Sequence, residues 1–462
     1  MDFYLTYGYT PLDRSIFKKI NKLLPAHYLV LDKRGLKVTR YWELRYSRPR
    51  KPKRIEEYEE GLLNILEESV RSCLVSDVPL GAFLSGGIDS SVVVALMKRI
   101  SRSRVKTFSI GFDREDYSEL EYARKVSKIL ETEHREFIMT SSAVNDLEKL
   151  VWHHNEPFAD SSALPTYHIA KNTAKYIRVV LTGDGGDESF AGYDRYRAAR
   201  LSSHLEHWPR NIFGAAGRTV LYLNKFLNGK QSDFLARRGD FLCAMHKYGD
   251  FSERYAYWMG IFSDEEKNML YMDEFKNMIK GSGPLDFMSR QFTNTELLDP
   301  AEKAMKTDIE TNLPGDLTVK MDIATMANSM EARAPFLDRR LMEFAASIPS
   351  ELKLKGRTSK YIIKKLALKF LPKEILSRRK MGFAVPIGGW FKNELKSYIS
   401  EILLDRKALG RGYFKEGSIE KLISEHTSGI RNNKHKLWSL LNLELWHKVF
   451  MENGSFEPLM KL

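Results

Sequence analysis

The chain has 462 residues, with 73 Lys plus Arg against 60 Asp plus Glu, 43% hydrophobic residues and two cysteines. This length predicts two or three domains, and the composition excludes a disordered chain, a fibrous chain and a disulfide scaffold. We expect a cytoplasmic protein without a membrane segment. Cys73 and Cys243 fit a reducing compartment, the start of the chain lacks a signal-peptide pattern, and no apolar run reaches the roughly 18 residues that span a bilayer.

The net charge of +13 suits either a nucleic acid or a nucleotide phosphate. Lys and Arg are spread along the chain and mostly alternate with acidic residues, without an uninterrupted block of five or six like charges. We therefore predict a nucleotide or phosphate ligand and do not expect nucleic acid as the main partner.

Residues 1–46 predict a helix followed by two strands. The runs 27–31 and 36–42 flank the turn 32–35, which is typical of a hairpin. Two strands do not make a stable sheet alone, so this hairpin must pack against something else. The charged, Pro-containing stretch 47–54 predicts a linker.

Short apolar runs and amphipathic segments alternate between residues 55 and 195. The predicted order is helix 55–74, strand 80–84, helix 90–100, strand 105–111, helix 118–130, strand 134–139, helix 163–174 and strand 177–181. Strands separated by helices of this length indicate βαβ units. The predicted fold class is therefore α/β, a parallel sheet with helices on both faces, followed by a mostly helical part over 196–462.

The first chemical motif, Leu-Ser-Gly-Gly-Ile-Asp-Ser, follows the strand at 80–84. Gly86 and Gly87 allow a tight turn and a close approach of the backbone to a ligand, and the N-terminus of the next helix suits phosphate. Ser85 and Ser90 add hydroxyl groups, and Asp89 fits either the first turn of the helix or a Mg²⁺ ion bridging phosphates. The alternative is an ordinary capped turn. We interpret the motif as a phosphate site.

The second motif, Thr-Gly-Asp-Gly-Gly-Asp-Glu, follows the strand at 177–181 and carries the carboxylates of Asp184, Asp187 and Glu188. Ligands of open α/β sheets bind beyond the carboxyl ends of the strands, so we expect both loops to face one cleft. Carboxylates beside phosphates indicate Mg²⁺. A structural acidic turn is the alternative, and the spacing does not match an EF-hand.

The motif at 85–90 resembles the pyrophosphate-loop (PP-loop) signature of the adenine nucleotide α-hydrolases. Longer segments are similar to the synthetase domain of the glutamine-hydrolysing asparagine synthetases, namely 108–112, 155–167, 182–193, 320–338 and 378–383. The resemblance runs along the whole chain. It implies an amide-ligase domain over 55–462 with a PP-loop ATP pyrophosphatase-like core at 55–195, and a remnant of an N-terminal glutaminase domain at 1–46.

The resemblance implies an ATP- and Mg²⁺-dependent ligase. Members of this family adenylate the side-chain carboxylate of aspartate, release pyrophosphate, and let ammonia displace AMP to give asparagine. Relatives that close lactam rings or amidate sugars and peptides leave another carboxylate and amine open. A tRNA-modifying PP-loop protein is the alternative of another class, and a non-catalytic scaffold is disfavoured by the intact loops.

The resemblance also implies roles for individual residues. The phosphates would be held by Leu84, Ser85, Gly86, Gly87, Asp89 and Ser90, the backbone around Ile110 would meet adenine, and Thr182 and Gly183 would border the nucleotide. Asp89 and Asp187 would bind Mg²⁺. Lys380 would contact the phosphates during adenylation, with Lys360 as a second candidate for that task.

Two further assignments concern the acid substrate. Asp184 stands where many family members carry a glutamate that supports amidation, and its shorter side chain changes its reach. Arg333 and Asp338 would serve the aspartate site or form a structural ion pair.

The sequence departs from the family at its start, where the glutaminase nucleophile is a cysteine directly after the initiator methionine. Position 2 is Asp2, and neither Cys73 nor Cys243 lies near the terminus. We therefore expect no glutaminase activity in this chain. Ammonia would come from solution, from a separate glutaminase subunit or from a segment absent from this sequence, and a homodimer is left open.

Overall fold

The computed structural model describes residues 1–47, 53–224, 229–279, 283–292, 298–376 and 385–452. Within these ranges, none of the helices combines the length and the apolar character that crossing a membrane requires. Most of the predicted linker, residues 48–52, lies outside the described residues.

Parallel strands form the centre of the described structure. In chain order the strands are β1 (His27–Asp32), β2 (Gly35–Arg40), β3 (Leu80–Phe83), β4 (Lys106–Phe112), β5 (Glu133–Met139), β6 (Val179–Leu181) and β7 (Glu331–Arg333). The last five form one parallel sheet in the order β5-β4-β3-β6-β7, whereas β1 and β2 form a separate antiparallel hairpin. Leu80 pairs with Val179 and Ala82 with Leu181, so β3 and β6 end side by side.

Helices surround this sheet. The α-helices that precede or flank its first four strands are α1 (Asp2–Tyr7), α2 (Ile55–Cys73), α3 (Ile88–Ile100), α4 (Leu120–Leu130), α5 (Leu147–His154), α6 (Ala163–Thr173) and α7 (Gly186–Ser189). The next group is α8 (Asp194–Leu205), α9 (Arg210–Asn224), α10 (Gly229–Lys247), α11 (Phe251–Met259), α12 (Asp264–Leu270), α13 (Asp273–Met278), α14 (Pro284–Arg290), α15 (Pro300–Glu310) and α16 (Thr318–Met326).

The helices after β7 complete the chain. They are α17 (Arg339–Ser347), α18 (Ser350–Lys353), α19 (Tyr361–Ala367), α20 (Lys373–Leu376), α21 (Ile387–Lys392), α22 (Lys396–Leu403), α23 (Arg406–Gly410), α24 (Glu416–Thr427) and α25 (Lys434–His447). A π-helical turn, Leu313–Leu317, leads directly into α16.

The sheet is covered on both faces, as its apolar strands predict. Val179 and Leu181 belong to one buried cluster with residues of α2 and α3. Val180, which points the other way, belongs to a second cluster with residues of α6 and of the C-terminal helices. The predicted α/β class with helices on both faces is therefore confirmed.

The N-terminal segment contains two different parts. Tyr4 and Leu5 of α1 are fully buried, and the Tyr4 hydroxyl donates a 2.7 Å hydrogen bond to the carbonyl of Ser439 in α25. The predicted hairpin is present, but Leu31 is 73% exposed and the other residues of β1 and β2 are mostly exposed. The domain boundary at residue 46 stays a prediction.

Strand β7 lies in the part that the sequence predicts as mostly helical. Ala332 pairs with Val180, and β7 therefore extends the sheet beyond β6. Its three residues, Glu-Ala-Arg, lack the alternating apolar pattern by which a strand is identified. These residues form a strand because they pair with β6, and a local sequence pattern does not reveal such a pairing.

Candidate active site

The first loop connects β3 to α3 and has the geometry of an anion site. Gly86 has φ +70°, and a Cβ there would lie 2.6 Å from the backbone of Tyr122, so only glycine fits. Gly87 is the residue before α3, and its N–H donates to the Ser85 hydroxyl at 3.2 Å. The hydroxyls of Ser85 and Ser90 lie 3.1 Å apart. Hydroxyl groups and the first N–H groups of a helix therefore meet at one point.

The second loop packs directly against the first. A Cβ on Gly183 would lie 2.8 Å from the amide nitrogen of Ser90, and a Cβ on Gly186 would lie 2.6 Å from a carboxylate oxygen of Asp89. Both glycines are therefore needed for this close approach. Because β3 and β6 are neighbours, the two loops meet at one edge of the sheet, as the sequence predicts for two loops that share a cleft.

Lys360 joins the two loops. Its Nζ lies 2.6 Å from Asp187 Oδ1 and also contacts the carboxylate of Asp89. The residue is 4% exposed and adopts a left-handed backbone conformation with φ +52°, which is uncommon for a lysine. Burial alone would lower the pKa of Lys360, but Asp187 and Asp89 outweigh it and hold the pKa above its usual value.

The carboxylates of Asp89 and Asp187 form a donor set for a cation. They share one ammonium partner, and each side chain is 15% exposed. The described residues contain no group of three or more His, Cys, Asp or Glu placed to hold a metal. Mg²⁺ usually takes one or two carboxylates and completes its shell with phosphate oxygens and water. Two carboxylates beside a phosphate loop fit that pattern.

Asp184 lies on the same loop as Asp187. The Thr182 hydroxyl donates a 2.8 Å hydrogen bond to Asp184 Oδ2. Burial raises the pKa of Asp184, and the hydrogen bond from Thr182 and the charge of Lys320 oppose that shift. The side chain is therefore oriented by its own loop and lies within the field of a buried lysine.

One cavity of about 2040 Å³ contains both loops. It is lined by the residues predicted for the nucleotide, the metal and the amidation step that the structure describes: Leu84, Ser85, Gly86, Gly87, Asp89, Ser90, Ile110, Thr182, Gly183, Asp184, Asp187 and Lys360. Ligand pockets usually measure about 300–1,000 Å³, so this cavity has room for a nucleotide and a second substrate. The roles of the individual residues stay predictions.

The segment just before α6 and helix α16 together carry a polar cluster that the sequence analysis did not single out. Lys320 Nζ lies 2.5 Å from Asp160 Oδ2 and 2.8 Å from the Ser162 hydroxyl. The amide of Ser162 in turn donates to Asp160 Oδ1 at 2.8 Å. All three residues line the cavity. Asp160 and Ser162 lie in one segment that resembles the family, and Lys320 lies in another. This resemblance was the signal by which the sequence could have identified the cluster.

Asp316 lies in the π-helical turn next to this cluster. Burial and the charge of Asp160 raise the pKa of Asp316 to about 8, although Lys320 opposes the shift. Burial acts in the same direction on Asp160, but Lys320 and Ser162 outweigh it and lower its pKa to about 2. The two shifts are opposite in direction, so a proton bound by this pair of carboxyls is held by Asp316 in preference to Asp160, which stays paired with Lys320.

Two predicted residues that the structure describes do not line the cavity, and a third, Lys380, lies outside the described residues. Arg333 pairs with Glu331 at 2.7 Å and donates to the carbonyls of Cys73 and Val75, while Asp338 pairs with Arg340 at 2.9 Å. Of the two alternatives for these residues, the Arg333–Asp338 ion pair is therefore wrong, because each side chain pairs with another residue, and a role at the aspartate site stays a prediction. Neither residue is among those that line the cavity.

Comparison with known proteins places this geometry in context. The family model described as asparagine synthase matches residues 61–448. The chain is 31% identical over 453 residues to asparagine synthetase [glutamine-hydrolyzing] 1 of Bacillus subtilis (strain 168), a match that covers 97% of this chain and 68% of that protein. It is also 26% identical to amidase chyE of Penicillium rubens, with 89% of this chain and 65% of the amidase covered.

A solved structure also matches in part. The NMN synthetase of Francisella tularensis is 22% identical, with a TM-score of 0.22, and the match covers 31% of this chain and 59% of that protein. At that TM-score the likeness carries no argument about function. The chain spans about two thirds of the length of the curated relatives.

Proposed function

The chain belongs to the asparagine synthase family, and from this premise we propose that it adenylates the side-chain carboxylate of aspartate and transfers ammonia to it, giving asparagine, AMP and pyrophosphate. Membership makes the chain an ATP-dependent ligase that forms carbon–nitrogen bonds. The observation that carries the proposal is the joining of the two loops by Lys360, which contacts Asp89 and Asp187.

ATP would bind across the carboxyl ends of β3, β4 and β6. The phosphates would meet the first N–H groups of α3 and the hydroxyls of Ser85 and Ser90, and adenine would lie against the backbone around Ile110. Leu84, Gly86, Gly87, Thr182 and Gly183 would form the backbone cradle of the nucleotide. Lys360, which is already held at the junction of the loops, would contribute a positive charge to the departing pyrophosphate.

Asp89 and Asp187 would hold Mg²⁺ together with phosphate oxygens. When bound, the ion would neutralise charge that develops on the leaving pyrophosphate. In the sequence-based assignment Lys380 adds a second positive charge to the same task. Each of these groups would act on phosphate oxygens and leave the acyl carbon accessible to nitrogen.

The two half-reactions have different needs. In the first, a carboxylate oxygen of aspartate attacks the α-phosphorus, and the bond from that phosphorus to pyrophosphate breaks. In the second, the nitrogen of ammonia attacks the activated acyl carbon, the bond to AMP breaks, and nitrogen loses a proton. Asp184 would accept that proton, because it lies in the cavity with its other oxygen held by Thr182.

Ammonia is the nitrogen donor that we propose for this chain. Glutamine hydrolysis needs a reactive thiolate. Burial raises the pKa of both thiols, Cys73 and Cys243, and so keeps them protonated. A separate glutaminase subunit that supplies ammonia, a cytoplasmic location and a homodimer belong to the same proposal.

Amide formation with defined substrates tests the proposal. The protein would be incubated with ATP, Mg²⁺ and a panel of acids, with either ammonia or glutamine as nitrogen source, while pyrophosphate and the amide product are measured. We expect asparagine and equal amounts of pyrophosphate with aspartate and ammonia, and none with glutamine alone. The absence of pyrophosphate and AMP with aspartate and ammonia would reject the proposed substrates.

A related ligase that acts on another acid is the second candidate. Relatives named as amidases, such as amidase chyE, favour it, because they share most of the length of this chain. The same acid panel separates the two candidates. Amide formation with a different acid and without aspartate would select this one.

A further inference from the structure

Lys320 is a buried cation that lines the same cavity as Lys360. It is 9% exposed, and its Nζ donates to Asp160 at 2.5 Å and to the Ser162 hydroxyl at 2.8 Å. An ammonium group has three N–H donors. Two are therefore used by partners in the described part of the chain, and one is left for a ligand of the cavity that Lys320 lines.

The charges in the cavity define what that ligand can be. Asp89, Asp184 and Asp187 line the cavity and are negative when ionised, and ATP would bring further negative charge. Lys360 is occupied by Asp89 and Asp187. A substrate that carries two carboxylates needs a cation for the one that is not activated, because an unpaired carboxylate at a desolvated site is costly. Lys320 lies near Asp184 and has one remaining N–H group that can donate to such a carboxylate.

We infer that Lys320 binds the carboxylate of the acid substrate that is not activated, the α-carboxylate when the substrate is aspartate, through its remaining N–H. This inference rests on the proposed function. Lys320 thereby determines specificity: it selects acids that carry a second carboxylate at the right distance from the reacting one. The phosphates stay with the two loops that follow β3 and β6.

Asp160 acts as a positioning residue in this arrangement. Its carboxylate receives Lys320 on one oxygen and the amide of Ser162 on the other, which fixes the ammonium before substrate arrives. A fixed donor loses little conformational entropy on binding. The pair keeps no net charge of its own, so the incoming carboxylate meets an oriented N–H donor.

Aspartate and β-alanine are the probes that test the inference, because β-alanine is aspartate without its α-carboxylate. Adenylation would be followed by ATP–pyrophosphate exchange, which needs no nitrogen donor. For Lys320→Met we expect the KM for aspartate to rise about 10- to 150-fold, the range for losing a hydrogen bond to a charged group. The KM for ATP and kcat/KM for β-alanine should stay close to wild type, so that the preference for aspartate is lost.

A matched control and a second variant keep the test decisive if Lys320→Met folds poorly. Lys306→Met removes another lysine of 9% exposure, which pairs with Glu310 at 2.6 Å and is not among the residues that line the cavity. It should keep the wild-type preference. The double variant Asp160→Asn/Lys320→Met leaves no buried charge unpaired and should show the same loss of preference as the single one.

The outcomes separate this inference from the proposed function. If wild type exchanges pyrophosphate with aspartate and both Lys320 variants keep its preference over β-alanine, the inference is wrong and the proposed function stands. Equal losses with aspartate and β-alanine would also overturn it, because they would indicate a general structural defect. If wild type shows no aspartate-dependent exchange, both are overturned.

Discussion

Lys360 Nζ lies 2.6 Å from Asp187 Oδ1, and the same ammonium contacts Asp89, so a single buried lysine fastens together the loops that follow β3 and β6. The lysine occupies the point at which the proposed Mg²⁺ would bind with the two carboxylates. In the proposed complex, Lys360 and Mg²⁺ would share the two carboxylates, and both would place positive charge near the pyrophosphate. This relationship gives the first prediction.

Lys360→Met should destabilise the protein and make it more responsive to Mg²⁺. Without the ammonium two carboxylates are left facing each other, and breaking a buried pair costs about 3 kcal/mol of unfolding free energy. Mg²⁺ would then replace the missing charge. Thermal unfolding with and without Mg²⁺ should show a larger rise in Tm for the variant than for wild type. Equal rises would argue against metal binding by Asp89 and Asp187.

Asp89→Asn should reduce ATP–pyrophosphate exchange by about 100-fold or more, the size of effect seen when one charge-stabilising group is removed from an active site. The measurement is exchange at saturating aspartate. Asp273→Asn is the control, since the Asp273 side chain is 76% exposed and its ion-pair partners within the described residues are Lys276 and Lys415. Exchange that survives in Asp89→Asn at the level of this control would refute the metal assignment.

Asp184→Asn should separate the two half-reactions. The asparagine side chain keeps the hydrogen bond with Thr182 but cannot accept a proton from nitrogen, so asparagine formation should fall by about 100-fold while exchange falls far less. Asp184→Glu, which restores the residue that many family members carry, should retain amide formation. ATP–pyrophosphate exchange and asparagine formation would be measured in parallel for each variant. Equal losses in both activities would show that Asp184 serves adenylation instead of amidation.

The loops were predictable from sequence because their glycines and carboxylates follow apolar strands in short, contiguous motifs. The junction between them was only partly predictable. Lys360 is the residue immediately before α19, 271 positions after Asp89, and its local sequence has no feature that distinguishes it from a surface lysine. The cluster of Asp160, Ser162 and Lys320 is assembled from the segment just before α6 and from α16, which are far apart in the chain, a relationship that only tertiary packing reveals.

The incorrect alternative of an Arg333–Asp338 ion pair has the same origin, because tertiary structure decides the partners of both residues. Arg333 and Asp338 are close in sequence and opposite in charge, which suggested a pair, but β7 turns Arg333 toward the end of α2 while Asp338 begins α17. Backbone pairing decided the outcome, since the carbonyl of Arg333 accepts the amide of Thr182 at 2.8 Å. The strand that directs this residue has too few residues for any local pattern.

Removing both cysteines should leave the ammonia reaction intact. In the variant Cys73→Ser/Cys243→Ser we expect wild-type rates of asparagine formation from ammonia, because neither cysteine is among the residues that line the cavity and burial keeps both thiols protonated. Product formation from ammonia and from glutamine would be compared in both proteins. A glutamine-dependent activity in wild type that the variant lacks would contradict the proposed nitrogen source.

The unfolding free energy of Asp316→Asn, relative to that of wild type, should increase as the pH rises. The folded-state pKa of Asp316 is raised to about 8, far above the ordinary value of 3.8, so between these values the folded protein binds the proton and the unfolded chain does not. Unfolding free energy therefore falls with rising pH on account of this group, and the loss is complete above about pH 8. Asparagine does not titrate, so the difference in unfolding free energy between variant and wild type should shift toward the variant by at least about 1 kcal/mol from pH 5 to pH 8.

Urea unfolding at pH 5, 6.5 and 8 measures this difference in unfolding free energy, with Asp273→Asn as control for a surface carboxyl. A difference that stays constant over this range would show that Asp316 is ionised in the folded protein, and that Lys320 then balances two negative charges instead of one.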